Sequence, residues 1–153
     1  MISFTTVWKR LGPLLLLMGG MVLQGCVVII DNDHDNDVDT EQDLRGKTWR
    51  LEVIVHHGQT YSVQDRTYRL TFEADGRITG VADCNVFGGL YEVPRNGAVE
   101  IFDLFSTEVA CQPPALDELF LRDLGDVTHF DVDGSRLTIR FDAEDNELRF
   151  RRA

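Results

Sequence analysis

From Thr48 to the C-terminus apolar residues recur at every second position, interrupted once by a stretch in which they recur every third or fourth. Trp49, Leu51, Val53 and Val55 share one parity, as do Tyr68, Leu70 and Phe72, and the intervening Arg69, Thr71 and Glu73 are polar. Alternation of this kind marks a strand with one dry and one wet face. Asp75-Gly76 turns the chain into a strand over Arg77 to Ala82, and Val99 and Ile101 mark another. Phe130 and Val132 lead through Asp133-Gly134 into Leu137, Ile139 and Phe141, and Leu148 and Phe150 close the chain. Asp-Gly pairs suit the positive φ of tight hairpin turns, so these strands run antiparallel to their neighbours.

The interruption is a helix. Pro113 and Pro114 stand where a first turn tolerates a missing N–H, and Leu116, Leu119, Phe120 and Leu124 recur at helical spacing. Asp117 and Glu118 lie near the positive N-terminal end, Arg122 lies in the last turns, and Gly125 provides the stop. The simplest role for the apolar stripe is to cap the core of the sheet. The predicted architecture is mainly β: a small antiparallel barrel or strongly curled sheet of about seven or eight strands with one helix packed against it.

The N-terminal residues have a different logic. Lys9 and Arg10 precede an apolar run from Leu11 to Leu23, and Leu23-Gln24-Gly25-Cys26 follows. The run is short of the ~20 residues that span a bilayer and has the proportions of a secretory signal. The last four residues match a lipobox, predicting cleavage between Gly25 and Cys26. Cysteine is required there because a thiolate is the soft nucleophile that takes diacylglycerol as a thioether. Small residues are required so that the peptidase reaches the bond. Each buried methylene contributes about 0.8 kcal/mol, so one acyl chain holds marginally and three hold almost permanently. Residues 1–25 are therefore a signal peptide, and the chain attaches to a membrane through lipid on Cys26. Val27 occupies the place of an inner-membrane retention Asp, which favours the periplasmic face of an outer membrane in a cell with two membranes.

Between Asp31 and Asp43 there are seven acids and no base in 13 positions, with little to bury. Such a segment cannot offset its ordering entropy, so residues 26–43 read as a lipidated cysteine followed by an acidic tether. Asp31, Asp33 and Asp35 match the start of a calcium loop, but Asn36 replaces its Gly and Gln42 its bidentate Glu. The formal net charge is −11; without Lys9 and Arg10, 26 acids face 13 bases, or −13. That sum repels nucleic acid and anionic lipid headgroups and implies no direct binding to either.

Within the domain expected over 44–153, Gly80-Val81-Ala82-Asp83-Cys84-Asn85-Val86-Phe87-Gly88-Gly89-Leu90-Tyr91 is followed by Ser106-Thr107-Glu108-Val109-Ala110-Cys111 and a helix with Glu118 and Phe120. Together with Trp49 in the first strand, Leu70-Thr71-Phe72 and an ending over Leu137 to Phe141, this resembles the META domain family, also called HslJ-like. The motif positions are Gly80, Cys84, Asn85, Phe87, Gly89, Tyr91, Thr107, Ala110 and Cys111; Val109 departs from the usual Met, and Asp83 stands where Gly often precedes the Cys. The resemblance spans Leu44 to Arg151. It implies a lipocalin-like topology and bacterial envelope lipoproteins, some linked to heat-shock or antibiotic stress. It carries no catalytic residues.

Cys84 and Cys111 are the cysteines left once Cys26 is lipidated. In an oxidising exterior they form a disulfide, remain two buried thiols, or serve a metal or redox site. A bridge would close a loop of about 28 residues and contribute roughly 3 to 4 kcal/mol. Asn85 and Gly88-Gly89 read as a tight turn, and Tyr91 and Thr107 as core and turn residues. No G-x-S-x-G or H-E-x-x-H is present. His56 and His57, adjacent near a strand end beside Gly58, should point their rings to opposite faces, and His129 should face water. The expectation is a non-enzyme with no cofactor or metal, acting in envelope stress tolerance by binding or structural support. Two other readings are a barrel for a small apolar ligand, and a thiol-redox or peptidase-inhibitor module centred on Cys84 and Cys111. The protein or small-molecule partner is left unassigned.

Overall fold

The structure, a computed structural model, describes residues 39–63, 67–95, 97–142 and 145–153. The cleavage site at Gly25, Cys26 and the acidic residues before Asp39 lie outside the described residues. A short helix, α1 (Glu41–Leu44), leads into β1 (Lys47–His56), β2 (Gln59–Ser62), β3 (Tyr68–Phe72), β4 (Arg77–Ala82), β5 (Asn85–Glu92) and β6 (Glu100–Ser106). Helix α2 (Asp117–Gly125) follows, and then β7 (Val127–Asp133), β8 (Arg136–Phe141) and β9 (Glu147–Arg152). The strands form one antiparallel sheet in the order β6-β5-β4-β3-β1-β9-β8-β7. β2 pairs with the half of β1 that β3 leaves free.

The sheet curls into a half-barrel. Its two ends meet where Ala98 bridges His129, with Val99 N–H donating to the Thr128 carbonyl and Phe130 N–H to that of Gly97. Helix α2 packs against β6 and β4. Its Phe120 ring is fully buried and meets Tyr68, Phe87 and Phe150 edge-on at centroid distances of 5.6, 5.7 and 6.3 Å. Trp49, Tyr68, Phe72 and Phe150 are buried as well, so aromatic side chains occupy the interior. Among the described residues the core runs from Leu44 to Phe150.

The mainly β curled sheet agrees with the alternating pattern, and four local expectations are corrected. A register shift between Leu51 and Val53 turns Ile54 into the core and leaves Val53 and Val55 only half-buried, so these two do not continue the face of Trp49 and Leu51. Asn85 and Gly88-Gly89 do not make a turn; they lie within β5. Glycine is needed there for close approach. A Cβ on Gly88 would stand 2.7 Å from the Phe105 ring, and one on Gly80 in the adjacent strand 2.2 Å from the Arg69 carbonyl oxygen. The turn falls on Asp83-Cys84, with Asp83 at φ 56°. Pro113 and Pro114 do not start α2; they stand in the chain before it, and the helix begins at Asp117. Finally, residues 39–43 of the acidic stretch belong to the folded body. Thr40 and Asp43 form a capping box on α1, and the Asp39 carbonyl accepts from Gly97 N–H.

Because Phe120 fills the interior from the helix side, Phe120→Ala is expected to lower stability by about 3 to 5 kcal/mol. Urea unfolding measures this as a lower midpoint with an unchanged slope.

Candidate functional site

The Asp83-Cys84 turn delivers Asn85 to the first position of β5, with its side chain inside the sheet and 3% exposed. After β6 the chain runs on beside the start of β5, and Thr107 clamps it there: Thr107 N–H donates to the Val86 carbonyl at 3.0 Å, and Val86 N–H to Thr107 Oγ1 at 3.1 Å. The Asn85 carboxamide then takes hold of this segment. Its Oδ1 accepts from Val109 N–H at 2.8 Å and from the Thr107 hydroxyl at 2.9 Å. Its Nδ2 donates to the Val109 carbonyl at 3.0 Å and to Asp117 Oδ2 at 2.7 Å. A carboxamide offers two donors and two acceptor sites, and here each has a partner. Aspartate in its place would lose both donors and face the Asp117 carboxylate.

Cys84 and Cys111 are joined by a disulfide with a Cα–Cα distance of 5.6 Å, which settles the three-way choice left by the sequence. The bridge ties the same segment to the β4–β5 turn. Four motif positions, Cys84, Asn85, Thr107 and Cys111, thus converge on one junction. Asp117, the first residue of α2, connects that junction to the helix, and Leu116 N–H just before it donates to the Tyr68 hydroxyl at 3.1 Å. The remaining motif residues do not gather there. Gly80 and Phe87 pack against each other, Gly89 admits the Phe102 backbone, and Ala110 is exposed. Tyr91 packs on Phe72 and donates to the Glu73 carbonyl at 3.1 Å, and burial pushes its phenol up. An open cleft of about 540 Å³ lies beside the junction, lined by residues 106–110 and by Asp117, Glu118 and Leu121. The arrangement is one of donors matched to acceptors with its thiols oxidised, which equips it to hold chain segments together.

A second cluster lies at the other end of α2. Asp123 is 1% exposed, and its Oδ2 stands 3.1 Å from His56 Nδ1 without the alignment of a directed hydrogen bond. Arg122 contributes an ion-pair contact at 3.5 Å to Asp123 and a guanidinium nitrogen 3.4 Å from His56 Nε2. A guanidinium only donates, so the latter contact requires Nε2 as acceptor and puts the ring proton on Nδ1, facing Asp123. His57 does not point away from His56. At φ 48° it has left the strand, and the two rings stack at 4.2 Å. His129 is exposed as expected, against Thr128 Oγ1. Asp and His so placed form the orienting half of a catalytic triad, yet among the described residues no hydroxyl or thiol hydrogen-bonds to His56. The sequence held a signal for this cluster. Asp123 follows Leu116 by seven positions and Phe120 by three, which places it on the apolar stripe.

Burial pushes the Asp123 carboxyl above the ordinary carboxylate value of 3.8, against the opposing pull of His56 and Arg122. A raised carboxyl favours the fold in its protonated form. Its contribution is full below 3.8 and is lost as pH rises through the raised value. Asp123→Asn, which does not titrate, is expected to gain stability relative to the parent from acid to neutral pH. Urea midpoints of the two proteins across that range check it; a pH-independent difference would refute the assignment.

The geometry can be set beside known proteins. No curated protein matches the chain. Among solved structures, a crystal structure of a duf4847 family protein from Bacteroides vulgatus is similar over 72% of this chain and 95% of its own, with a TM-score of 0.56 and 14% identity. An NMR structure described only as that of a protein covers 73% of this chain and 93% of its own, with a TM-score of 0.56 and 22% identity. At these identities the likeness is one of fold. The META domain family matches residues 42–153, the stretch that holds the sheet, α2 and the Cys84–Cys111 junction. On that match the chain belongs to the META domain family.

Proposed function

We propose that this protein is a non-catalytic META-domain lipoprotein of the cell envelope. Acyl chains on Cys26 hold it to a membrane, and the domain serves envelope stress tolerance by binding or structural support. The observation that carries the reading is the serial order of the chain: Leu23-Gln24-Gly25-Cys26, an acidic spacer, then a self-contained domain. The cysteine inventory supports it. Of three cysteines, Cys84 and Cys111 are bridged to each other, which suits an oxidising compartment and leaves Cys26 for the lipid. The filled interior offers little to a small apolar ligand, and the bridged pair acts as a tie between segments, so the observations add nothing to the carrier and thiol-redox readings.

Growth of the native host with labelled palmitate tests the anchor. The wild-type protein is expected to carry the label and to stay with membranes after a high-salt wash, whereas Cys26→Ala is expected to lose both properties. An unlabelled wild type, or a Cys26→Ala protein that stays on the membrane, would rule the anchor out.

A further inference from the structure

The formal net charge of −11 is a sum over the chain, and the fold does not distribute it evenly. Register places Arg69 of β3 opposite Arg50 of β1, Arg50 opposite Arg151 of β9, and Arg151 opposite Arg136 of β8. Four exposed arginines thus line up across four neighbouring strands on the outer face of the sheet, a row of roughly 14 Å at ordinary strand spacing. Arg149 and Arg140 extend the patch along β9 and β8. Like charges set directly opposite one another destabilise a sheet, so the row has a standing cost. Local acids relieve only part of it. Glu52 lies 2.8 Å from Arg151 and 3.8 Å from Arg50, Asp133 lies 3.7 Å from Arg136, and Glu147 pairs with Arg149. Arg69 and Arg140 make no ion pair among the described residues.

The line also continues beyond Arg69. Register runs on to Val81 of β4 and then to Val86 of β5, which is 55% exposed. Phe105, on the strand next to Val86, is 70% exposed. One outer surface therefore passes from guanidinium groups to exposed apolar side chains.

We propose that this face lies against the anionic headgroups of a membrane, the arginines on lipid phosphates and the apolar end in the interfacial region. It rests on the membrane-anchored reading for why a lipid surface is within reach. The shape selects an extended surface over a small free anion: side chains on the convex side of a curled sheet diverge and cannot converge on one phosphate. The apolar continuation likewise has no use for a soluble ion and suits an interface. Guanidinium binds phosphate with two parallel hydrogen bonds, which favours arginine in this role. Over a screening length of about 8 Å in physiological salt, acids elsewhere on the molecule do little to cancel the row.

The test uses residues 27–153 with the disulfide formed. This chain carries no acyl group, the core closes within it, and the two solved relatives consist almost wholly of the same domain. It is expected to sediment with equimolar phosphatidylcholine–phosphatidylglycerol vesicles, not with phosphatidylcholine alone, and to dissociate as salt rises. At about a factor of five per arginine, Arg50→Gln with Arg151→Gln is expected to weaken binding about twenty-five-fold. An unchanged circular dichroism spectrum would show that the variant is folded. Equal binding to both vesicles, no binding, an undiminished folded variant, or equally tight binding to duplex DNA would each overturn the proposal. None of these results bears on palmitate incorporation, and a failed incorporation leaves the vesicle result standing.

Discussion

A curled sheet that closes through one short bridge leaves one end of its core to be covered, and α2 covers it here, meeting His56 at the end of β1, Tyr68 at the start of β3 and Asn85 at the start of β5. The helix has nine residues, too few to be stable alone, so its place is set by what holds it. Two holds act together: Phe120 wedged among Tyr68, Phe87 and Phe150, and Asp117 joined to Asn85. Asn85 in turn fixes the chain that leads from β6 to the helix, and the Cys84–Cys111 bridge shortens that chain's freedom. The cysteine and asparagine of the motif belong to one mechanical joint. This gives a physical reason for the motif that needs no substrate.

Much of this architecture was legible as alternation. β3, β4, β7, β8 and β9 read directly because one face of each is buried by its neighbours and the other is wet, whereas the parity read in β1 breaks at the register shift between Leu51 and Val53. β5 did not, because Gly88-Gly89 resembles a turn to any local rule, and the ring that makes glycine necessary comes from Phe105 on another strand. β6 is obscured by a register shift opposite Gly88 and Leu90 and by Asp103 at φ 52°, which leave both Phe102 and Phe105 exposed. β2 is four residues, none of them buried, and carries no pattern to detect.

The site shows the same division. Cys84, Asn85, Thr107 and Cys111 stood out in the sequence, but their joint role depends on contacts across 22 to 27 positions that no spacing rule supplies. Asp123 was visible and passed over, since an acid on an apolar stripe becomes informative only with its partner His56 in view. Charge is the clearest contrast. A net acidic chain implies repulsion from anionic surfaces, whereas pairing of the strands gathers six arginines onto one face. Composition reports the total, and register decides where each charge stands.

The central claim is that the carboxamide of Asn85 locks α2 over the core of the half-barrel. Native-state hydrogen exchange on Asn85→Ala, with the disulfide intact, addresses it most directly. Unpaired buried groups cost about 1 to 3 kcal/mol, so amides of α2 and residues 107–111 should exchange roughly tenfold to a hundredfold faster. Amides of β1, β8 and β9 should lose less protection than these. Unchanged protection in α2, or an equal loss throughout the sheet, would contradict the account.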